Sequence, residues 1–165
     1  MDPRTGVPGP SGGSSDLWME EALREARAAL AEGEIPVGAV LVREGRILGR
    51  GRNRRALRGD PFAHAEMEAL REACEALGAW RFDGATLYVT LEPCPMCAGA
   101  ILQARVGELV FGARDPRAGA CGSLYDLLRD PRQTHRCRVE EGPGREESRE
   151  LLQRFFRLRR RWTKE

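Results

Sequence analysis

Four residues have the types and spacing to do chemistry: His64 and Glu66 in His64-Ala65-Glu66, then Cys94 and Cys97 in Pro93-Cys94-Pro95-Met96-Cys97. One imidazole and two thiolates give a zinc ion three ligands and leave the fourth corner of its tetrahedron open to water. Zinc in such an open site lowers the pKa of its water from about 15.7 to about 7, which makes hydroxide available at neutral pH. Glu66 lies two residues from His64, near enough to move a proton at that water without competing for the metal. A Cys-Cys-His set also favours zinc over hard cations. The rival is a closed structural site with Cys74, Cys121, Cys137 or His135 as fourth ligand, but none of these stands at a second paired spacing.

The elements that must position these residues follow from periodicity. Residues 65–77 read as a helix with Met67, Leu70, Cys74 and Leu77 on one face, and residues 94–102 read as a second helix with Pro95 in its first turn. Both halves of the motif therefore fall at helix amino termini, where the dipole favours the thiolates that zinc requires. Upstream, residues 16–33 show a helical repeat of Met19, Leu23, Ala26 and Leu30 that stops at Gly33. Residues 37–42 and 46–51 form a hairpin about Glu44-Gly45. Asn53 heads an Arg-rich loop, where its amide either caps a turn or meets a ligand.

Short strands are expected at 87–91, 108–112 and 137–139, a short helix at 124–128 and a long helix at 145–162. The loop from Ala113 through Asp115 to Gly122 follows a strand and is a candidate substrate lip. The order αββαβαβα indicates an α/β fold in three layers, α-β-α, with a central mixed sheet. On the last helix Leu151, Phe155, Leu158 and Trp162 form a stripe whose default meaning is core. Phe156, Arg157, Arg159, Arg160 and Arg161 lie off it, which suits either RNA contact or a solvated basic end.

Composition sets limits. The 165 residues suit one domain, 16–165, able to bury a core without a metal staple, behind a disordered tail at 1–15 rich in Gly, Pro and Ser. Hydrophobic residues at 41% and charged residues at 32% are a soluble balance with no membrane span. A net charge of +2 does not by itself mark a nucleic-acid binder. Five cysteines, an odd number behind no signal-like apolar stretch, point to a reducing compartment.

The H-x-E and P-C-x-x-C pair is the signature of zinc nucleobase deaminases. The chain resembles the bacterial tRNA-specific adenosine deaminases of the cytidine deaminase-like superfamily from about Leu17 to Arg161. The matching stretches are Ile35-Pro36-Val37-Gly38-Ala39-Val40, Ala63-His64-Ala65-Glu66, Leu87 to Cys94, Met96-Cys97-Ala98-Gly99-Ala100, Val110 to Asp115, and Phe155 to Arg160. The resemblance implies a cytoplasmic homodimer that deaminates adenosine to inosine at the wobble position of a tRNA anticodon stem-loop, with one Zn2+ per subunit. It assigns zinc binding to His64, Cys94 and Cys97 and proton transfer to Glu66 as hydroxide attacks C6 of adenine and ammonia departs. It further implies that Asn53 contacts the base, Asp115 the RNA backbone, and Phe156, Arg159 and Arg160 the anticodon loop. Deaminases of free cytidine, deoxycytidylate or guanine share the zinc set, and a non-catalytic zinc-stabilised RNA-binding module is the alternative from another class.

Overall fold

The computed structural model describes residues 12–162, with side chains from Ser15 to Arg161. Residues 1–11 of the expected tail at 1–15, and the Trp162 side chain, lie outside what is described. Among the described residues, five strands and five helices follow the order α1 (Gly12–Ala31), β1 (Gly38–Arg43), β2 (Arg46–Arg52), α2 (Arg55–Arg58), α3 (Ala65–Leu77), β3 (Thr86–Leu91), α4 (Pro95–Gln103), β4 (Glu108–Ala113), β5 (Arg138–Glu141) and α5 (Arg145–Trp162). The sheet order is β2-β1-β3-β4-β5. β1 runs antiparallel to both neighbours, and β3, β4 and β5 are parallel. The sheet is thus mixed.

Period-two alternation along the strands makes the three layers. Ala39, Leu41, Leu87, Val89, Leu109 and Phe111 face one apolar core with Ala69, Leu70 and Ala73 of α3 and Ala98 and Ile101 of α4. Val40, Val42, Tyr88 and Val110 point the other way, onto Met19, Ala22 and Leu23 of α1, with Leu151 of α5 against them. This is the expected α-β-α arrangement. The β1–β2 turn places Glu44 at φ 52° and Gly45 at φ 71°, the paired left-handed conformation that matches strand twist in a two-residue hairpin.

Close approach of α3 to β2 depends on glycine. A Cβ at Gly51 would overlap the Ala65 carbonyl and meet Ala69 N at 2.5 Å. Because α3 carries His64 and Glu66 at its start, this contact seats the chemistry as well as the core. Gly51→Ala is therefore expected to destabilise the fold by roughly 3 kcal/mol, measured by denaturant unfolding, since backbone on both sides leaves nothing flexible to yield.

Several expectations are corrected. α1 begins at Gly12, ahead of residue 16, because propagating a packed helix costs far less than nucleating one. The Arg-rich loop contains the one-turn helix α2, fixed by the buried Glu34, whose carboxylate accepts hydrogen bonds from Leu57 N at 2.6 Å and Ala56 N at 3.4 Å. Residues 124–128 form no helix. An isolated bridge between Cys121 and Asp126 and a bond from Gly122 N to Tyr125 O hold them in a turn that leaves Leu124 and Tyr125 exposed. On α3 the buried face is Ala65, Ala69, Leu70 and Ala73, with Leu77 exposed, because close helix–strand packing selects small residues. On α5, Phe155 is buried while Leu158, on the same expected stripe, is exposed.

Candidate metal centre and active site

His64 is the N-cap of α3 and Cys94 the N-cap of α4, both with extended backbones at φ −77° and −75°. Pro95 opens α4 where its missing N–H costs no helical bond, and Cys97 follows inside the first turn. A tight loop delivers His64: Arg54 N bonds Ala63 O at 3.0 Å, and Asp60 Oδ1 accepts from Phe62 N at 2.8 Å. The other half comes directly from the carboxyl end of β3.

The three ligand atoms converge. His64 Nδ1 lies 3.6 Å from Cys94 Sγ and 3.5 Å from Cys97 Sγ, and all three atoms fall within 4.8 Å of one another. Zinc bonds of about 2.1 Å to nitrogen and 2.3 Å to sulfur, opened to a tetrahedral angle, separate N and S by about 3.6 Å, so the donor set fits zinc without rearrangement. Among the described residues this is the one cluster of three or more such groups able to hold a metal, and Cys74, Cys121, Cys137 and His135 are not in it. The closed-site rival therefore has no fourth protein ligand here.

Electrostatics agree with the geometry. The Cys97 thiol donates to Cys94, and this bond, with help from His64, pulls Cys94 down to about 4. Cys97 is correspondingly pushed far up, by holding that shared proton and by burial. His64 is raised, chiefly by its bond to Cys94. Metal binding takes cysteine as the thiolate, the form this arrangement favours at Cys94. Glu66, 4% exposed, is raised by burial, with Cys97 and His64 opposing.

Asn53, His64, Glu66, Cys94 and Asp115 line one open pocket of about 190 Å³, with Ile35 and Val37 as apolar wall. That is below the roughly 300 Å³ of pockets for drug-sized ligands and suits one planar base. Asn53 is buried and its Oδ1 accepts from Arg55 N at 3.0 Å, so it caps a turn while also facing the pocket. Asp115 Oδ1 accepts from Arg117 N at 3.0 Å and Ala118 N at 3.2 Å. Phe156, Arg159 and Arg160 do not line the pocket. Phe156 is exposed near the end of α5, edge-on to Phe155 at 5.3 Å, and the Arg159 guanidinium lies 6.0 Å from the Phe155 ring centre.

A profile of the MafB19-like deaminases matches residues 14–160. The chain belongs to this deaminase family. Within it, the chain is 50% identical over 149 residues to a tRNA-specific adenosine deaminase of Bacillus subtilis, covering 90% of this chain and 92% of the relative. A solved structure from work on A-to-I editing by tRNA:A34 deaminases at the wobble position of transfer RNA superposes with a TM-score of 0.79 at 48% identity, over 83% of this chain and 99% of the other. The guanine deaminase of Bacillus subtilis is less similar, with a TM-score of 0.60 at 32% identity over 88% of this chain and 93% of that one. The fold is therefore the cytidine deaminase-like α/β fold shared by these deaminases.

Sequence reasoning assigned Glu92 no role, although it stands two residues before Cys94. It is 2% exposed and lines the same pocket. The signal present was an acidic residue in an otherwise apolar strand end, Leu91-Glu92-Pro93. Such a residue needs buried donors, but sequence does not say which.

Proposed function

We propose that this chain is a zinc-dependent tRNA adenosine deaminase, converting adenosine to inosine at the wobble position of an anticodon. The observation that carries the reading is one small pocket holding a His/Cys/Cys triad and a buried glutamate in a chain half identical to a tRNA-specific adenosine deaminase. His64, Cys94 and Cys97 hold the metal. Zinc, when bound there, supplies a Lewis acid that makes water a nucleophile at neutral pH.

Glu66 takes a proton from the attacking water and delivers it to N1 of adenine, which makes C6 electrophilic. It then carries the second proton to the departing amine. A C6–O bond forms, the C6–N6 bond breaks, and one water and one adenosine become one inosine and one ammonia. Asn53 orients the base at the pocket wall, and Ile35 and Val37 exclude bulk water from its faces. An anticodon loop is already unpaired, so turning its base into the pocket costs less than from a duplex. The enzyme works as a cytoplasmic homodimer, in keeping with a tRNA substrate. Among the described residues no helix is long and apolar enough to cross a membrane.

Asp115 contacts the RNA backbone beside the target, and Phe156, Arg159 and Arg160 contact the anticodon loop. Exchange of Arg159 and Arg160 for alanine is expected to weaken stem-loop binding and to lower the slope of log K against log salt by about one unit for each phosphate that is no longer neutralised. Binding titrations at several salt concentrations measure this, and an unchanged slope returns both to a solvated helix end.

The relation to guanine deaminase favours a second reading, a free-base deaminase with the same metal set. Zinc-loaded protein incubated with an adenosine-34 stem-loop, with free nucleosides and with guanine separates the two. Inosine in the RNA with release of ammonia supports the proposal. Turnover of free bases alone replaces it, and tight RNA binding without ammonia points to a non-catalytic module.

A further inference from the structure

We infer that Glu92 is a positioning residue that clamps the Asp115 loop into a rigid wall of the substrate pocket. The inference rests on the functional reading above for its substrate, but on geometry for the clamp. Glu92 Oε1 accepts hydrogen bonds from Asp115 N at 3.1 Å and from Ser123 Oγ. Its Oε2 accepts from Cys121 N and Ser123 N, each at 3.1 Å. One buried carboxylate thus fastens both ends of the stretch from Asp115 to Ser123. Of the arginines flanking this loop, Arg114 pairs with Glu141 at 2.6 Å, and Arg129 pairs with Asp126 at 2.9 Å and donates to Cys121 O at 3.5 Å. The charge of Glu92 is met by oriented N–H and O–H groups, an anion nest formed by the loop itself.

The main chain reinforces the clamp. Glu92 N bonds Ala113 O and Ala120 N bonds Pro93 O, both at 2.8 Å, so the loop is laced to the residues directly preceding Cys94. Gly119 completes it, since a Cβ there would land on the Glu92 carboxylate. Asp115 and Ala118, which line the pocket, therefore hold a fixed position before substrate arrives. A lip that closes over the base would need these bonds to break. The wall instead pre-pays the ordering cost of binding, an effect that belongs to affinity more than to the proton transfers at Glu66.

Glutamine is the informative replacement, because its amide offers one acceptor oxygen where four donors converge and turns an NH2 toward N–H groups. In the zinc-loaded protein, Glu92→Gln is expected to speed hydrogen exchange of the 114–123 amides about tenfold or more, with the rest of the chain unchanged. For the stem-loop, KM is expected to rise about tenfold with kcat within about twofold and zinc content unaltered. Ser123→Ala, which removes one hydroxyl and leaves the backbone donors, is expected to speed the same amides about threefold, and its effect disappears in the Glu92→Gln background. Should Glu92→Gln fail to fold, the Ser123→Ala exchange decides the matter.

Unchanged exchange in 114–123 overturns the clamp, and so does a fall in kcat at constant KM. If the wild-type protein turns over free bases and no stem-loop, the functional reading fails. The exchange measurement, with KM read on the base that is turned over, still judges Glu92.

Discussion

Glu66→Ala is expected to lower turnover of an adenosine-34 stem-loop by about 10²- to 10⁴-fold while one zinc per chain remains bound. Glu66 lies in the first turn of α3, two residues beyond His64, and its side chain reaches the pocket while almost wholly shielded from bulk water. Burial raises its pKa, which favours the protonated form that it needs as an acid toward the ring and then the amine. A carboxylate with an ordinary pKa would be a poor acid for the second transfer. The variant should keep its fold, because the vacated space opens onto the pocket and water can fill it. Zinc content and circular dichroism of the variant, set beside single-turnover rates, check each part. Near-normal turnover would remove Glu66 from the chemistry.

Metal removal has the larger effect on activity and a bounded one on stability. Dialysis against a chelator is expected to abolish deamination, to leave far-UV circular dichroism essentially unchanged, and to lower Tm by about 10 °C, with zinc restoring both losses. The two apolar cores include none of His64, Cys94 and Cys97, and the five-stranded sheet is paired without them. The metal therefore adds its binding free energy to a chain that already folds, about 4 kcal/mol at a thousandfold excess over Kd. Cys97→Ala should reproduce the activity loss irreversibly. Collapse of the fold on chelation would mean a structural metal, and persistent deamination would mean that the triad serves another purpose.

The same contrast separates what was legible in the sequence from what was not. The limits of α3 and α5 agree with those read from their apolar periods, and the hairpin turn at Glu44-Gly45 was visible as a dipeptide. These are short-range matters, decided within a few residues. The segment 124–128 had a helical composition yet became a turn, because its backbone found partners in Gly119, Ala120 and Gly122 rather than within itself. Leu158 matched a helical stripe yet stands exposed on α5. Asn53 was left between turn cap and ligand contact, and its placement serves both, capping Arg55 from a position on the pocket wall.

By itself the sequence determined where the candidate metal ligands stand in the chain, since H-x-E and P-C-x-x-C set imidazole, carboxylate and thiols at helix starts by local backbone geometry. It also determined the layer order, because alternation along each strand divides side chains between two faces. Only the tertiary structure decided that Nδ1 and both sulfurs lie within 4.8 Å, that Asn53 and Asp115 share their pocket, and that Glu92 fastens the facing loop. The physical reason is range. A metal-ligand spacing is set over three residues, whereas the donors that give Glu92 its role come from 23 to 31 residues away and meet it only once β3 and β4 have paired.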